Sequence, residues 1–67
     1  MEKSRNHKIT VTNGMSGFFA IETAEYLDDD GEWYQDVTQT GIGRYKSSEK
    51  AEREGRAWAK DENLPFE

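Results

Sequence analysis

The chain has 67 residues, of which 9 are Lys or Arg and 14 are Asp or Glu; its formal net charge is −5 and it contains no cysteine. A chain of this length forms one small domain that buries only about 60% of its unfolded surface. The absence of cysteine excludes a disulfide framework and a thiolate metal site. No apolar run is long enough to span a membrane, and the first eight residues lack the hydrophobic segment of a secretory signal. We therefore expect a single domain over residues 1–67, with residues 1–6 as a disordered arm, located in the cytoplasm.

Three strands precede a helix in the predicted order of elements. Residues 7–12 alternate between polar and apolar side chains, which is typical of a half-buried strand. A second strand is predicted over 16–26, and a third over 32–40, which is rich in Trp, Tyr, Val and Thr. Asn13-Gly14 and Asp30-Gly31 lie between them and are both suited to two-residue hairpin loops. This pattern predicts a three-stranded antiparallel meander.

The segment from Tyr45 to Phe66 has the only clear helical period. Ser47 or Ser48 is suited to cap the helix N-terminus, and Asn63 followed by Pro65 is suited to end it. Small residues recur every fourth position in its interior, at Ala51, Gly55 and Ala59. Such a strip allows close approach to a sheet, so we predict an α+β fold with one C-terminal helix packed on one face.

The two turn signals also predict which side chains share a face, because paired residues on neighbouring strands point the same way. The face expected beneath the helix holds Ile9, Val11, Phe18, Ala20, Ala24, Tyr26, Trp33 and Val37. The other face holds Phe19, Ile21, Thr23, Tyr34, Asp36 and Thr38. A one-residue bulge in the first hairpin would move Ile9 and Val11 to the second face, since a slip of one residue reverses every side chain.

Charge is concentrated in the middle of the chain. Residues 22–36 carry seven acids and no base. Such a segment repels nucleic-acid phosphate and attracts basic surfaces, and an uncovered apolar sheet face often marks a partner or dimer surface. The leading interpretation is a non-enzymatic protein-binding module, whose partner is a protein with a basic surface or a second copy of the chain. The predicted partner-binding residues are Phe19, Ile21, Tyr34, Glu25, Asp28, Asp29, Asp30 and Asp36.

No motif indicates catalysis, a metal or a cofactor. The Asp28–Gly31 segment lacks the ligand spacing and flanking helices of a calcium loop, so it is interpreted as a turn. Gly41-Ile42-Gly43 lacks the remaining residues of a dinucleotide or phosphate loop. His7, the only histidine, has no predicted orienting partner, and we expect it at the surface. A candidate anion site remains at the predicted helix N-terminus; it comprises Arg44, Lys46, Ser47 and Ser48.

The alternative function is weak nucleic-acid binding through the basic arm, Lys3, Arg5 and Lys8, together with the sheet aromatics. The order strand-strand-strand-helix resembles the second part of a double-stranded-RNA-binding domain. That family carries a lysine cluster at the start of its last helix, whereas this helix starts Ser-Ser-Glu-Lys-Ala-Glu-Arg-Glu. Because acids are interleaved there and the net charge is negative, we rank this alternative below protein binding.

The last third of the chain supplies a second resemblance. The run Thr40-Gly41-Ile42-Gly43-Arg44-Tyr45-Lys46-Ser47-Ser48-Glu49, followed by Ala57-Trp58-Ala59, is similar in style to the C-terminal halves of small uncharacterised phage and prophage proteins. The resemblance implies a protein made in the cytoplasm of a bacterial host that inhibits or adapts host machinery by binding it. It carries no functional residues over to this chain.

Overall fold

The computed structural model describes residues 3–67, which form three strands and one helix. They are β1 (Ser4–Gly14), β2 (Gly17–Leu27), β3 (Trp33–Thr40) and α1 (Ser48–Glu62). The strands form an antiparallel sheet in the order β1-β2-β3. The predicted α+β fold, a three-stranded meander followed by a C-terminal helix, is therefore confirmed.

The first strand begins earlier than predicted. Met1 and Glu2 of the predicted arm lie outside the described residues, but residues 4–6 belong to β1. Ser4 is paired with Tyr26 and Arg5 with Glu25. Because β2 continues to Leu27, its far end supplies pairing groups for a segment that we expected to be disordered.

The helix has the predicted caps. Ser47 is the N-cap, and its hydroxyl accepts a hydrogen bond from the backbone N–H of Lys50. Asn63 ends the helix in the left-handed conformation, with φ 57°. The strip of small residues is its buried face, as predicted, and Gly55 lies over Ala20 of β2. A Cβ at this position would lie 2.7 Å from Cε1 of Phe66 but 3.5 Å, an ordinary contact distance, from the Cβ of Ala20. The Phe66 ring is therefore the reason for a glycine at this helix-interior position.

The core lies between α1 and the first two strands. Ile9, Ala20 and Ala59 are buried at its centre, and Trp58, Leu64 and Phe66 pack around them. The segment after the helix returns along the outer edge of β1, in a parallel bridge between Ile9 and Phe66. The Ile9 N–H donates to Pro65 O, and the Glu67 N–H donates to Ile9 O, both at 2.9 Å. The sequence patterns did not predict this short additional strand.

The first hairpin turns at a different place from the one predicted. Asn13-Gly14 is not the loop: Gly14 pairs with Gly17, and Met15 and Ser16 form the turn. Gly17 has φ 117°, and it lies against Tyr45, whose backbone exchanges two hydrogen bonds with Phe18. These two bonds hold the first residues of β2 in the sheet, so the hairpin continues beyond the predicted turn. The register moves by four residues, an even number, so Ile9 and Val11 keep the predicted face.

The register of the second hairpin differs by one residue from the predicted register. This difference moves each of the β3 side chains next to the turn to the opposite face of the sheet. Asp28 rather than Asp29 is bonded opposite Glu32, and Gly31 has φ 83°. This is a type I turn followed by a left-handed glycine, a three-residue loop in place of the predicted two-residue loop. The Asp28 carboxylate favours it by accepting the N–H groups of Asp30 and Glu32, at 2.9 and 2.8 Å.

The reversal corrects the predicted faces of β3. Tyr34 pairs with Tyr26, and Asp36 with Ala24, so both lie on the side of the sheet that carries the helix. Trp33 and Val37 pair with Leu27 and Thr23 and lie on the opposite side. The predicted set of partner-binding residues is therefore divided between two faces.

Candidate functional site

One side of the sheet is left without a covering layer. Among the elements described for residues 3–67, α1 packs against β1 and β2 and does not reach β3. We call the opposite side the open sheet face; its central residues are Thr10, Thr12, Ile21, Thr23, Gln35 and Val37. Together with Val11 and Asp36, these residues line a shallow cavity of about 370 Å³. Val37 is 46% exposed there, whereas Ile21 beneath it is nearly buried.

Two arginine–aromatic stacks frame this face. The Arg44 guanidinium lies 4.1 Å from the ring centroid of Phe19, and that of Arg5 lies 3.9 Å from the ring of Trp33. A guanidinium over an aromatic ring is attracted by the ring's quadrupole. Phe19 is thus on the predicted face but is partly covered, so it offers less apolar surface than the sequence suggested.

The side chains of Tyr34 and Asp36 lie on the opposite side from the open sheet face, although Asp36 also borders the cavity there. Tyr34 is 49% exposed, and its ring is 6.0 Å from that of Tyr26, centroid to centroid. Asp36 accepts a hydrogen bond from the N–H of Val37 at 2.8 Å. These two residues lie on the same side of the sheet as α1, at the strand that α1 does not reach.

The acidic hairpin contains both structural and free carboxylates. Asp28 is committed to the turn, as described above. Asp29 and Asp30 are exposed at the tip of the loop. Because their side chains are not used by the turn, Asp29 and Asp30 are the hairpin charges best placed to meet a partner.

Glu25 lies on the open sheet face within a cluster of its own. It accepts a hydrogen bond from Asn6 Nδ2 at 2.7 Å and one from Arg5 Nε at 2.9 Å. These bonds, the one from Asn6 first, lower the pKa of the Glu25 carboxyl below its ordinary value. A second cation of the predicted basic arm, Lys8, is paired with Glu67 at 3.2 Å. Pairing of Arg5 and Lys8 with carboxylates reduces the positive charge available to a phosphate backbone.

We expect Asn6→Gly to raise the pKa of Glu25 toward the ordinary value of 4.5. Glycine keeps the left-handed backbone that Asn6 adopts, with φ 55°, and removes only the amide donor. Since the folded pKa of Glu25 is depressed, its stabilising contribution is present above 4.5 and is lost as the pH falls through the folded value. An NMR titration of the Glu25 side chain in both proteins measures the change, and an identical midpoint would show that Asn6 is not the main cause.

Two residues of the predicted anion site, Arg44 and Ser47, make structural contacts within the chain. Arg44 donates to the carbonyl oxygens of Gly41 and Gly43, at 2.7 and 3.0 Å, and its guanidinium stacks on Phe19. Ser47 is the helix cap. The exposed residues Lys46 and Ser48 are left, and the anion site stays a prediction.

His7 is not the isolated surface residue that we expected. Its Nδ1 lies 3.0 Å from Glu22 Oε2, and its Nε2 lies 3.0 Å from Ser4 Oγ. Glu22 is only 6% exposed. No sequence pattern indicated this cluster, because His7 reaches Glu22 through a β-bulge between Arg5 and Lys8, where β1 has one residue more than β2.

The order Ser–His–carboxylate is that of a hydrolytic triad, which also needs a substrate pocket and oxyanion donors. The cavity that His7 lines, of about 280 Å³, is not lined by Ser4 or Glu22. We therefore assign the cluster a structural role, in which His7 satisfies the buried Glu22 and fixes the bulge.

Within residues 3–67, no helix combines the length and apolarity needed to cross a membrane. The same residues contain no group of three or more His, Asp or Glu side chains placed to hold a metal ion. Comparison of the chain with protein-family models, with curated proteins and with solved structures found no match.

Proposed function

We propose that this chain is a non-enzymatic protein-binding module that uses the open sheet face and the acidic hairpin, and that it is a phage- or prophage-encoded modulator of a bacterial host protein. The observation that supports this most is the one-sided packing of α1, which leaves Val37, 46% exposed, without a covering layer. The phage origin and the cytoplasmic location rest on the resemblance of the last third of the chain.

The chemistry of the surface favours a partner with an apolar centre and a basic rim. Val37 and the half-buried Thr10 and Thr12 offer β-branched contact area, and Asp29 and Asp30 add negative charge near one end. In such interfaces a few well-packed central contacts provide most of the affinity, and rim charges mainly steer association. Tyr34 and Asp36 are removed from the proposed interface by their position on the other side.

The test is capture from a bacterial lysate on the immobilised chain, followed by mass spectrometry and measurement of Kd with the purified partner. We expect Val37→Glu to weaken binding by at least about tenfold, because it places a charge at the centre of the contact. Ile42→Glu is the matched control: it adds the same charge to an apolar residue that is 98% exposed outside the open sheet face. Equal Kd values for Val37→Glu and the wild type would contradict the proposal.

Two further measurements separate the alternatives. Sedimentation at micromolar concentration distinguishes a homodimer from a monomer. An electrophoretic shift at physiological salt tests nucleic-acid binding, which falls steeply as salt is raised. The pairing of Arg5 with Glu25 and of Lys8 with Glu67 favours the protein partner over nucleic acid.

A further inference from the structure

The outer edge of β1 is only partly paired. In an antiparallel pair, the backbone groups of alternate residues point toward the neighbouring strand and away from it. The backbone N–H and C=O of Ile9 point away from β2, because they form hydrogen bonds with the segment after the helix. The backbone N–H and C=O groups of Val11 and Asn13, two and four residues farther along the strand, therefore also point away from β2. Within residues 3–67, the backbone pairing on this edge consists of the bridge between Ile9 and Phe66, and it does not extend to Val11 or Asn13.

A groove runs along these unpaired groups. We call it the edge groove; it has a volume of about 460 Å³ and lies between β1 and the first turns of α1. Phe18 and Phe66 give it apolar walls, and Ser48 and Glu52 of α1 form its far side. An extended peptide laid here would complete the ladder that Pro65–Glu67 begins, since it would follow the same edge of the same strand.

Both charged residues that line the edge groove are acidic, although the Arg56 guanidinium lies outside the groove, 4.6 Å from the ring centroid of Phe66. Glu52 and Glu67 both line the groove, and the Glu67 side chain is 62% exposed although it contacts Lys8. Alternate side chains of an added strand would point toward α1, where an apolar group meets Phe18 or Phe66 and a cation meets Glu52. We propose that the edge groove binds an extended basic segment of a partner protein as an added β-strand, with an apolar residue and a Lys or Arg two positions apart, so that both side chains point toward α1.

A second copy of the chain fits this groove less well. Pairing of two β1 edges would bring the acids of both grooves together between molecules of net charge −5. Like charges in such an arrangement oppose association. The edge groove shares residues 10–12 of β1 with the open sheet face, but Glu52 lines only the groove and Val37 only the open face. The variants at these two positions therefore test the two proposals separately, and either can fail without the other.

The experiment is an NMR titration of the full chain at low salt with the capped hexapeptide Val-Val-Lys-Lys-Val-Val, in which valine and lysine lie two positions apart on each face of the strand. We expect the amide signals of Val11 and Asn13 to shift and their hydrogen exchange to slow, because these donors become paired. Glu52→Gln should weaken binding about threefold, the size expected for one partly exposed ion pair. Asp61→Asn is the matched control, because it removes an acid from the same helix nine residues farther on, about 13 Å away.

A second variant tests the backbone contact itself. Val11→Pro removes the free N–H at an edge position, where proline does not interrupt the ladder to β2. We expect it to abolish the slowed exchange at Asn13, with circular dichroism showing that the fold is retained. Equal binding of the same hexapeptide with glutamate in place of both lysines would overturn the proposal. It would also be overturned by shifts confined to the acidic hairpin, or by shifts at Val11 that depend on protein concentration without peptide.

Discussion

Ile9→Ala is expected to lower the free energy of unfolding by about 3–4 kcal/mol, within the range for removing a fully buried Ile side chain. Ile9 is 0% exposed and is the largest side chain buried completely. It lies at the centre of the core with Ala20 and Ala59, and its backbone anchors the segment after the helix. A domain of this size has a stability of only about 3–5 kcal/mol, so the variant should be largely unfolded at 25 °C.

Ile42→Ala is the matched control for this variant. It removes the same atoms from a residue that is 98% exposed, so its effect should stay within about 0.5 kcal/mol. Urea denaturation followed by circular dichroism measures both. Similar midpoints for Ile9→Ala and the wild type would mean that the core is not centred on Ile9.

Gly17→Ala is expected to cost about 2–3 kcal/mol, since it combines an unfavourable backbone conformation with a clash. Gly17 has φ 117°, and a Cβ there would lie 2.5 Å from the backbone oxygen of Tyr45. That oxygen accepts the Phe18 N–H, so it cannot move away without breaking the bridge between β2 and the segment before α1.

Gly31→Ala separates the two contributions to this cost. Gly31 also has positive φ, 83°, but nothing lies within 4 Å of a Cβ placed there. Only the backbone term remains, about 1 kcal/mol. Thermal unfolding of both variants gives the difference, and equal losses would show that contact with Tyr45 does not restrict position 17.

The elements with local signals could be predicted from the sequence. The helix, its Ser47 cap and its Asn63 stop were predicted because each depends on residues within a few positions. The buried strip at Ala51, Gly55 and Ala59 followed from its spacing. The pairing of strands was harder, because a hairpin register depends on one backbone angle at one glycine.

The candidate site shows the consequence of that sensitivity. An Asp-Gly pair is compatible with a two-residue loop and with a three-residue loop ending in a left-handed glycine. The side-chain bonds of Asp28 favour the second, which moved Tyr34 and Val37 to opposite faces from those predicted. The contact between His7 and Glu22 was not predicted for a similar reason. It depends on a β-bulge between Arg5 and Lys8, and no sequence motif indicates that bulge.

Photo-crosslinking in bacterial cells tests the proposed partner surface most directly. The photoreactive residue p-benzoylphenylalanine replaces Val37 in one sample and the exposed Ile42 in another, and the cells are irradiated. If the open sheet face binds a host protein, position 37 should give one discrete crosslinked product and position 42 should give none. Equal products from both positions, or a product from position 42 alone, would contradict binding through this face.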